Sequence, residues 1–146
     1  MCISTYFLPP VGFDAKMLFV YNKVHNTSRL RQSGSSLTTT TDITVSEDNV
    51  WILKMDQSSR CYRIFNSKYK DWRITLWRAV SLGVYTGDYY PDQLWRFQYH
   101  SEGYYYIVSC YYKDYFIHLQ TDGKPIARKG KGEDKELWKL VQTQMM

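Results

Sequence analysis

No uninterrupted apolar run in this chain approaches the roughly 18 residues that a membrane-spanning helix needs. Alanine, the strongest helix former, occurs only at Ala15, Ala79 and Ala127, so long helices are not expected. There is no glycine-rich phosphate loop, and no Cys-x-x-Cys, His-Glu-x-x-His or Gly-x-Ser-x-Gly pattern. His25, His100 and His118 stand apart from any such company, and the aspartates form no pair that reads as a glycosidase dyad. Catalysis, a metal and a cofactor are therefore not expected. The three cysteines, Cys2, Cys61 and Cys110, are odd in number and lack metal-ligand spacing. Cys61 and Cys110 lie in apolar, strand-like contexts and read as reduced, partly buried thiols. The opening MCISTYFLPPVGF lacks a charged n-region and is interrupted by Pro9 and Pro10, which makes it a poor signal peptide. The glycosylation sequon at Asn26 is expected to go unused. A cytoplasmic protein, or one exported without a signal peptide, is the expectation.

What is present points to strands. The 146 residues fit one domain with a real core. Fourteen tyrosines and five tryptophans, with plentiful Thr, Val and Ile, favour pleated structure over helix. The net charge of +5 leans toward anionic partners such as nucleic acid, acidic lipid or acidic glycan, although such a charge also serves solubility. RNP, KH and zinc-knuckle patterns are missing, so nucleic acid is not the expected partner.

The chain repeats itself. DNVWILK, PDQLWRFQ and DKELWKLV each place a tryptophan after an acidic turn, and Trp51, Trp95 and Trp138 lie 44 and 43 residues apart. Away from the tryptophans, YKDWRI (Tyr69 to Ile74) lies over YKDYFI (Tyr112 to Ile117) at the same offset of 43. The first unit is more diverged, with Val20 under Ile64, Asn22 under Asn66 and Leu30 under Ile74. The units run over about 17–54, 60–98 and 103–141, with residues 1–16 as a lead-in strand. Two-residue alternation in DWRITLW turns Trp72, Ile74 and Leu76 inward and Asp71, Arg73, Thr75 and Trp77 outward. In the third unit the inward set is Tyr115, Ile117 and Leu119, and the outward set Asp114, Phe116, His118 and Gln120. Turn pairs at Ser33-Gly34, Gly87-Asp88 and Asp122-Gly123 and the run KGKG (Lys129 to Gly132) cut each unit into roughly four strands. A propeller needs at least four blades, and paired-helix solenoids need a period of 3.6 rather than two. Three four-stranded units closing on an axis predict an all-β, pseudo-threefold β-trefoil, with the three indoles in one core.

At DQLWRF the sequence resembles the ricin-type lectins, whose β-trefoil repeats end in Gln-x-Trp. The second unit alone has the motif, as Gln93-Leu94-Trp95; the others read Asn49-Val50-Trp51 and Glu136-Leu137-Trp138. The spacing is also similar to lectin-like head domains of bacterial insecticidal toxins. The resemblance implies glycan binding at the unit edges by a second-strand aspartate, a polar pair just before the tryptophan and a stacking aromatic. Carried over residue by residue, it implies Asp92 and Gln93 as the polar pair and Tyr85 as the aromatic. Asp71 is a possible second-strand acid, although the preferred register gives that slot to Arg73. The third unit offers Asp114, with Arg128 in the aromatic position and Lys135-Glu136 as the pair. The first offers Asp48-Asn49 without an aromatic. Binding by more than one unit, or by a homodimer, would crosslink glycans through avidity.

Other features carry plainer readings beside sharper ones. The run Tyr99 to Phe116 reads as two strands with alternating rings, or as a recognition patch at Tyr105 and Tyr111. The basic loop Arg128 to Lys135 reads as a solvated hairpin, or as a binder of phosphate, acidic lipid or sulfated glycan. The alternative function is a protein-binding or protease-inhibitor type of trefoil that meets a protein partner through its loops. Burying a tryptophan removes about 150–250 Å² from water, and truncating one to alanine costs about 3–5 kcal/mol. Trp95→Ala is therefore expected to unfold or aggregate. A soluble variant with an unchanged melting temperature and lost ligand binding would reassign that ring from core to site.

Overall fold

The computed structural model describes residues 13–42 and 46–143; residues 1–12, with Cys2 and most of the lead-in, lie outside the described residues. Among the described residues twelve strands follow one another. The first unit holds β1 (Met17–Asn22), β2 (Arg29–Ser33), β3 (Ser36–Thr40) and β4 (Trp51–Met55). The second holds β5 (Tyr62–Asn66), β6 (Arg73–Trp77), β7 (Ser81–Tyr85) and β8 (Trp95–Ser101). The third holds β9 (Tyr104–Ser109), β10 (Tyr115–Leu119), β11 (Pro125–Lys129) and β12 (Leu137–Gln142). Strands β1, β4, β5, β8, β9 and β12 pair antiparallel in a ring that closes where β12 meets β1. The hairpins β2–β3, β6–β7 and β10–β11 branch from this barrel and touch one another across its end. This is a β-trefoil.

The sequence period becomes geometry at the tryptophans. All three are fully buried. Trp51 Nε1 donates to Leu30 O at 3.0 Å, Trp95 Nε1 to Ile74 O at 2.9 Å and Trp138 Nε1 to Ile117 O at 3.0 Å. Each bond reaches 21 residues back, from the barrel to the second strand of the same unit. Around the rings pack Val20, Ile64 and Ile107, and Leu53, Phe97 and Leu140, which recur at the same offsets. The lead-in ends against this body: Phe13 packs on the core and Asp14 bridges Leu53 in parallel.

Alternation holds on the inward side, where Ile74, Leu76, Ile117 and Leu119 are all fully buried. On the outward side it needs correcting. Arg73, Thr75 and His118, expected to face solvent, are 0%, 3% and 6% exposed. The reason is a second layer: single 3₁₀ turns at Pro91–Gln93 and Asp134–Glu136 lie over the outer faces of β6 and β10.

The thiol expectation is also overturned, since Cys61 and Cys110 form a disulfide. Tyr62 pairs with Trp95 and Trp95 with Ser109, so the residues flanking those ladder positions meet at the start of β8. Constraining a loop of 49 residues lowers the entropy of the unfolded chain by an amount worth about 4 kcal/mol in the chain-entropy description.

Next to each tryptophan, on the neighbouring strand, sits a turn-building polar residue: Asn22 opposite Trp138, Asn66 opposite Trp51 and Ser109 opposite Trp95. Asn22 Oδ1 accepts from the backbone N–H of Val24 and His25, Asn66 Oδ1 from those of Lys68 and Tyr69, and Ser109 Oγ from those of Tyr111 and Tyr112. The two asparagines have a further donor. Asn22 Nδ2 donates to Lys135 O and Asn66 Nδ2 to Asp48 O, each at 3.0 Å, which ties each unit to the one before it around the ring. Serine lacks that arm, and the carbonyl at the matching position is Asp92 O. Ser109→Asn is expected to complete the ring and add about 1 kcal/mol of stability, read as a higher urea midpoint at unchanged slope. An unchanged or lower midpoint would show that the third junction has no room for the amide.

Candidate functional site

Each hairpin and the 3₁₀ turn of its own unit, Glu47–Asn49 in the first, enclose a cleft at the rim. Arg31, Thr75 and His118 occupy the same step of the second strand in the three units and line the three clefts. Thr40, Tyr85 and Arg128 occupy one step of the third strand, as their pairing with Arg29, Arg73 and Phe116 shows. Asp48, Asp92 and Lys135 close the clefts from the turn. The frame repeats, but its side chains do not.

In the second unit the cleft holds about 340 Å³ and is walled by Trp77, Tyr85 and Tyr90, with Thr75, Thr86, Asp92 and Gln93 supplying polar groups. The three rings are substantially exposed. Asp92 Oδ1 is shielded from water and receives no hydrogen bond from the described residues. Burial pushes its carboxyl above the ordinary carboxylate value, opposed only by a backbone hydrogen bond.

Gln93 is 2% exposed and spent on the scaffold. Its Oε1 accepts from Arg73 Nε at 2.9 Å, from the Tyr90 N–H at 3.3 Å and from Arg63 Nε at 3.4 Å, while its Nε2 donates to Asp88 O at 3.2 Å. Arg73, buried completely, also donates to Asp71 O and Asp88 O, each at 2.7 Å, and to Gly87 O. The Tyr89 ring lies 4.4 Å from the guanidinium carbons of both Arg63 and Arg73. This knot holds the loop from Gly87 to Gln93 on β6, and with it the cleft wall.

Of the residues proposed from sequence, the structure brings Tyr85, Asp92 and Gln93 to one cleft. Asp71 stands behind it: its Oδ2 accepts from Thr86 Oγ1 at 3.0 Å and its Oδ1 lies 3.4 Å from Arg73 Nη1. Asp114 is elsewhere, in a groove with Arg96, Gln98 and Tyr111, and its carbonyl accepts from the Gly130 N–H at 3.0 Å. Tyr105 packs against Phe97 and Tyr99, while Tyr111 packs on Tyr112, so the two do not share a patch. Thr75, Trp77, Thr86 and Tyr90 were not proposed. The outward alternation of Thr75 and Trp77 was the available signal.

The other two clefts each carry an ion pair on their wall. In the first, Arg31 Nε lies 3.0 Å from Asp48 Oδ2. The third is wider, about 580 Å³, but Arg128 pairs with Glu133 at 2.8 Å and Lys135 Nζ donates to Thr121 Oγ1 at 3.0 Å. Within the basic loop Arg128 is thus paired. Beneath it Glu136 Oε1 accepts from the N–H groups of Gly132 and Glu133, and Glu136 Oε2 lies 3.4 Å from His118 Nδ1. Burial, with Arg128 beside it, holds the His118 imidazole below its ordinary value despite that carboxylate. Among the described residues no group of three His, Cys, Asp or Glu could hold a metal ion, and no helix is long and apolar enough to cross a membrane.

The raised Asp92 value has a stability consequence. A carboxyl whose folded pKa exceeds its unfolded value of about 3.8 contributes stability below that value, and the contribution is lost as pH rises through the folded value. At neutral pH its charge is a cost to the fold. Asp92→Asn is expected to raise the thermal midpoint at neutral pH, with the gain fading as the carboxylate range is crossed toward acid. A lower midpoint at neutral pH would show that the carboxylate has a stabilising partner after all.

No protein-family model matches the chain, and no curated protein matches it in sequence. Solved structures do. A mosquitocidal holotoxin superposes at a TM-score of 0.78 and 16% identity over 90% of this chain, which spans 18% of the toxin's length. ThreeFoil, a designed threefold-symmetric protein, matches at 0.72 and 16% identity over 87% of this chain and 99% of its own. SeviL bound to asialo-GM1 saccharide matches at 0.74 and 14% identity over 88% of this chain and 98% of its own. At such identities the likeness establishes the β-trefoil fold.

Proposed function

We propose that this chain is a carbohydrate-binding protein that holds a glycan in the second-unit cleft. The observation that carries the reading is the cleft's composition: aromatic faces at Tyr85, Tyr90 and Trp77 beside the Asp92 carboxylate, which has no counter-charge among the described residues. A sugar ring is complementary to both, with a C–H face for stacking and hydroxyl edges that donate to an acceptor. In this reading Asp92 and Tyr85 touch the sugar, whereas Gln93, Arg73 and Asp71 position the wall. The saccharide named with the SeviL structure supports the reading by analogy of fold. The paired charges of the first and third clefts argue for one strong site per chain. The disulfide favours an oxidising compartment, hence the exported branch of the localisation expectation.

A glycan array with the intact protein tests this. Binding is expected to be competed by a simple sugar and weakened at least about tenfold in Asp92→Ala and in Tyr85→Ala, both at unchanged fold by circular dichroism. A silent array beside a tight complex in a protein pull-down would move the function to loop-mediated protein binding.

A further inference from the structure

Asp92 asks more of a ligand than a neutral sugar supplies. Its Oδ1 is buried and unpartnered, and among the described residues no Lys, Arg or His lies within ion-pair distance of its carboxylate. The cations of that corner are committed elsewhere. Arg73 is held by Gln93 and the loop carbonyls, Arg63 pairs with Asp56 at 3.4 Å, and Arg78 lies 4.3 Å over the Trp77 ring. In the first cleft the matching acid, Asp48, has its arginine. The second-unit cleft alone among the three presents aromatic faces together with a carboxylate that lacks a counter-charge.

Resting on the saccharide reading, we infer that this cleft selects sugars bearing a protonated primary amine, the de-N-acetylated hexosamines, over neutral and N-acetylated ones. Covering a charged carboxylate with a neutral ligand removes more of its water and returns only a hydroxyl hydrogen bond. An ammonium restores neutrality and donates up to three hydrogen bonds, and bonds between charged partners are the stronger kind. The rings help, because the electron-rich faces of Tyr85 and Tyr90 attract a cation that the same faces would hold beside the sugar's C–H surface. A quaternary ammonium fits less well, since it has no N–H to donate to the carboxylate. The N-acetyl group removes the charge and adds bulk.

The test varies one substituent. Glucosamine, N-acetylglucosamine and glucose, and the matching galacto series, are titrated into the full chain by calorimetry in near-neutral, low-salt buffer. The amino member of at least one series is expected to bind about tenfold more tightly than its neutral partners. Asp92→Asn is expected to erase that preference, so that the amino and neutral members of a series bind alike at whatever affinity remains; Tyr85→Ala is expected to weaken all members together while the preference persists. Equal affinities within both series, or a preference that survives Asp92→Asn, would overturn the inference and leave the saccharide reading standing. Silence from all six sugars together with a silent array would overturn both.

Discussion

The buried hydrogen bond from each indole N–H to a carbonyl 21 residues back is the constraint on which the architecture turns. An indole without an acceptor would leave a polar group stranded in the core at a cost of about 1–3 kcal/mol. Meeting that demand three times pins the start of each barrel-closing segment to the second strand of its own hairpin. The hairpins then have one place to go, the end of the barrel, where they shield the same three rings. Fold and period are therefore one fact seen twice.

What the core fixes, the rim is free to vary. The tryptophan frame sets where each third strand and each 3₁₀ turn stands, so three clefts arise with matching backbones. Nothing in the core dictates the side chains that face them. One unit lines its cleft with an Arg31–Asp48 pair, another with an Arg128–Glu133 pair, and the second with aromatic walls. Gln93 marks the boundary between the two regimes: it lines the cleft, yet its own polar atoms are used to anchor Arg73, Tyr90 and Asp88. A Gln-x-Trp motif of this kind is evidence about the scaffold before it is evidence about a ligand.

The same division explains what could be read without coordinates. Three identical rings at nearly constant spacing were legible because a threefold core needs the same volume at the same place. Asn22 and Asn66 were legible as partners for the same reason. Arg73 and His118 were misplaced because a two-residue alternation knows only the sheet beneath a strand, and not the turn that folds back over it from about 20 residues downstream. The Cys61–Cys110 bridge was hidden because it depends on which strands flank β8, a matter of ring order and not of local pattern. Asp114 matched Asp71 by offset, but neither side chain reaches a cleft of this kind, since both sit in the turn before their strand. Tyr90 and Thr86 belong to a loop with no period to betray them.

The ring closes where the final strand, β12, meets the opening one, β1, along Leu18 to Asn22. During synthesis β1 therefore waits, one edge unpaired, until β12 has been made. Its other edge can pair with β4 early, and β5, β8 and β9 can assemble around Cys61 and Cys110 before that final strand exists. Such long-range closure is slow by nature. A bridge formed in the partly assembled ring would hold β5, β8 and β9, half of the barrel, in register while the seam is still open.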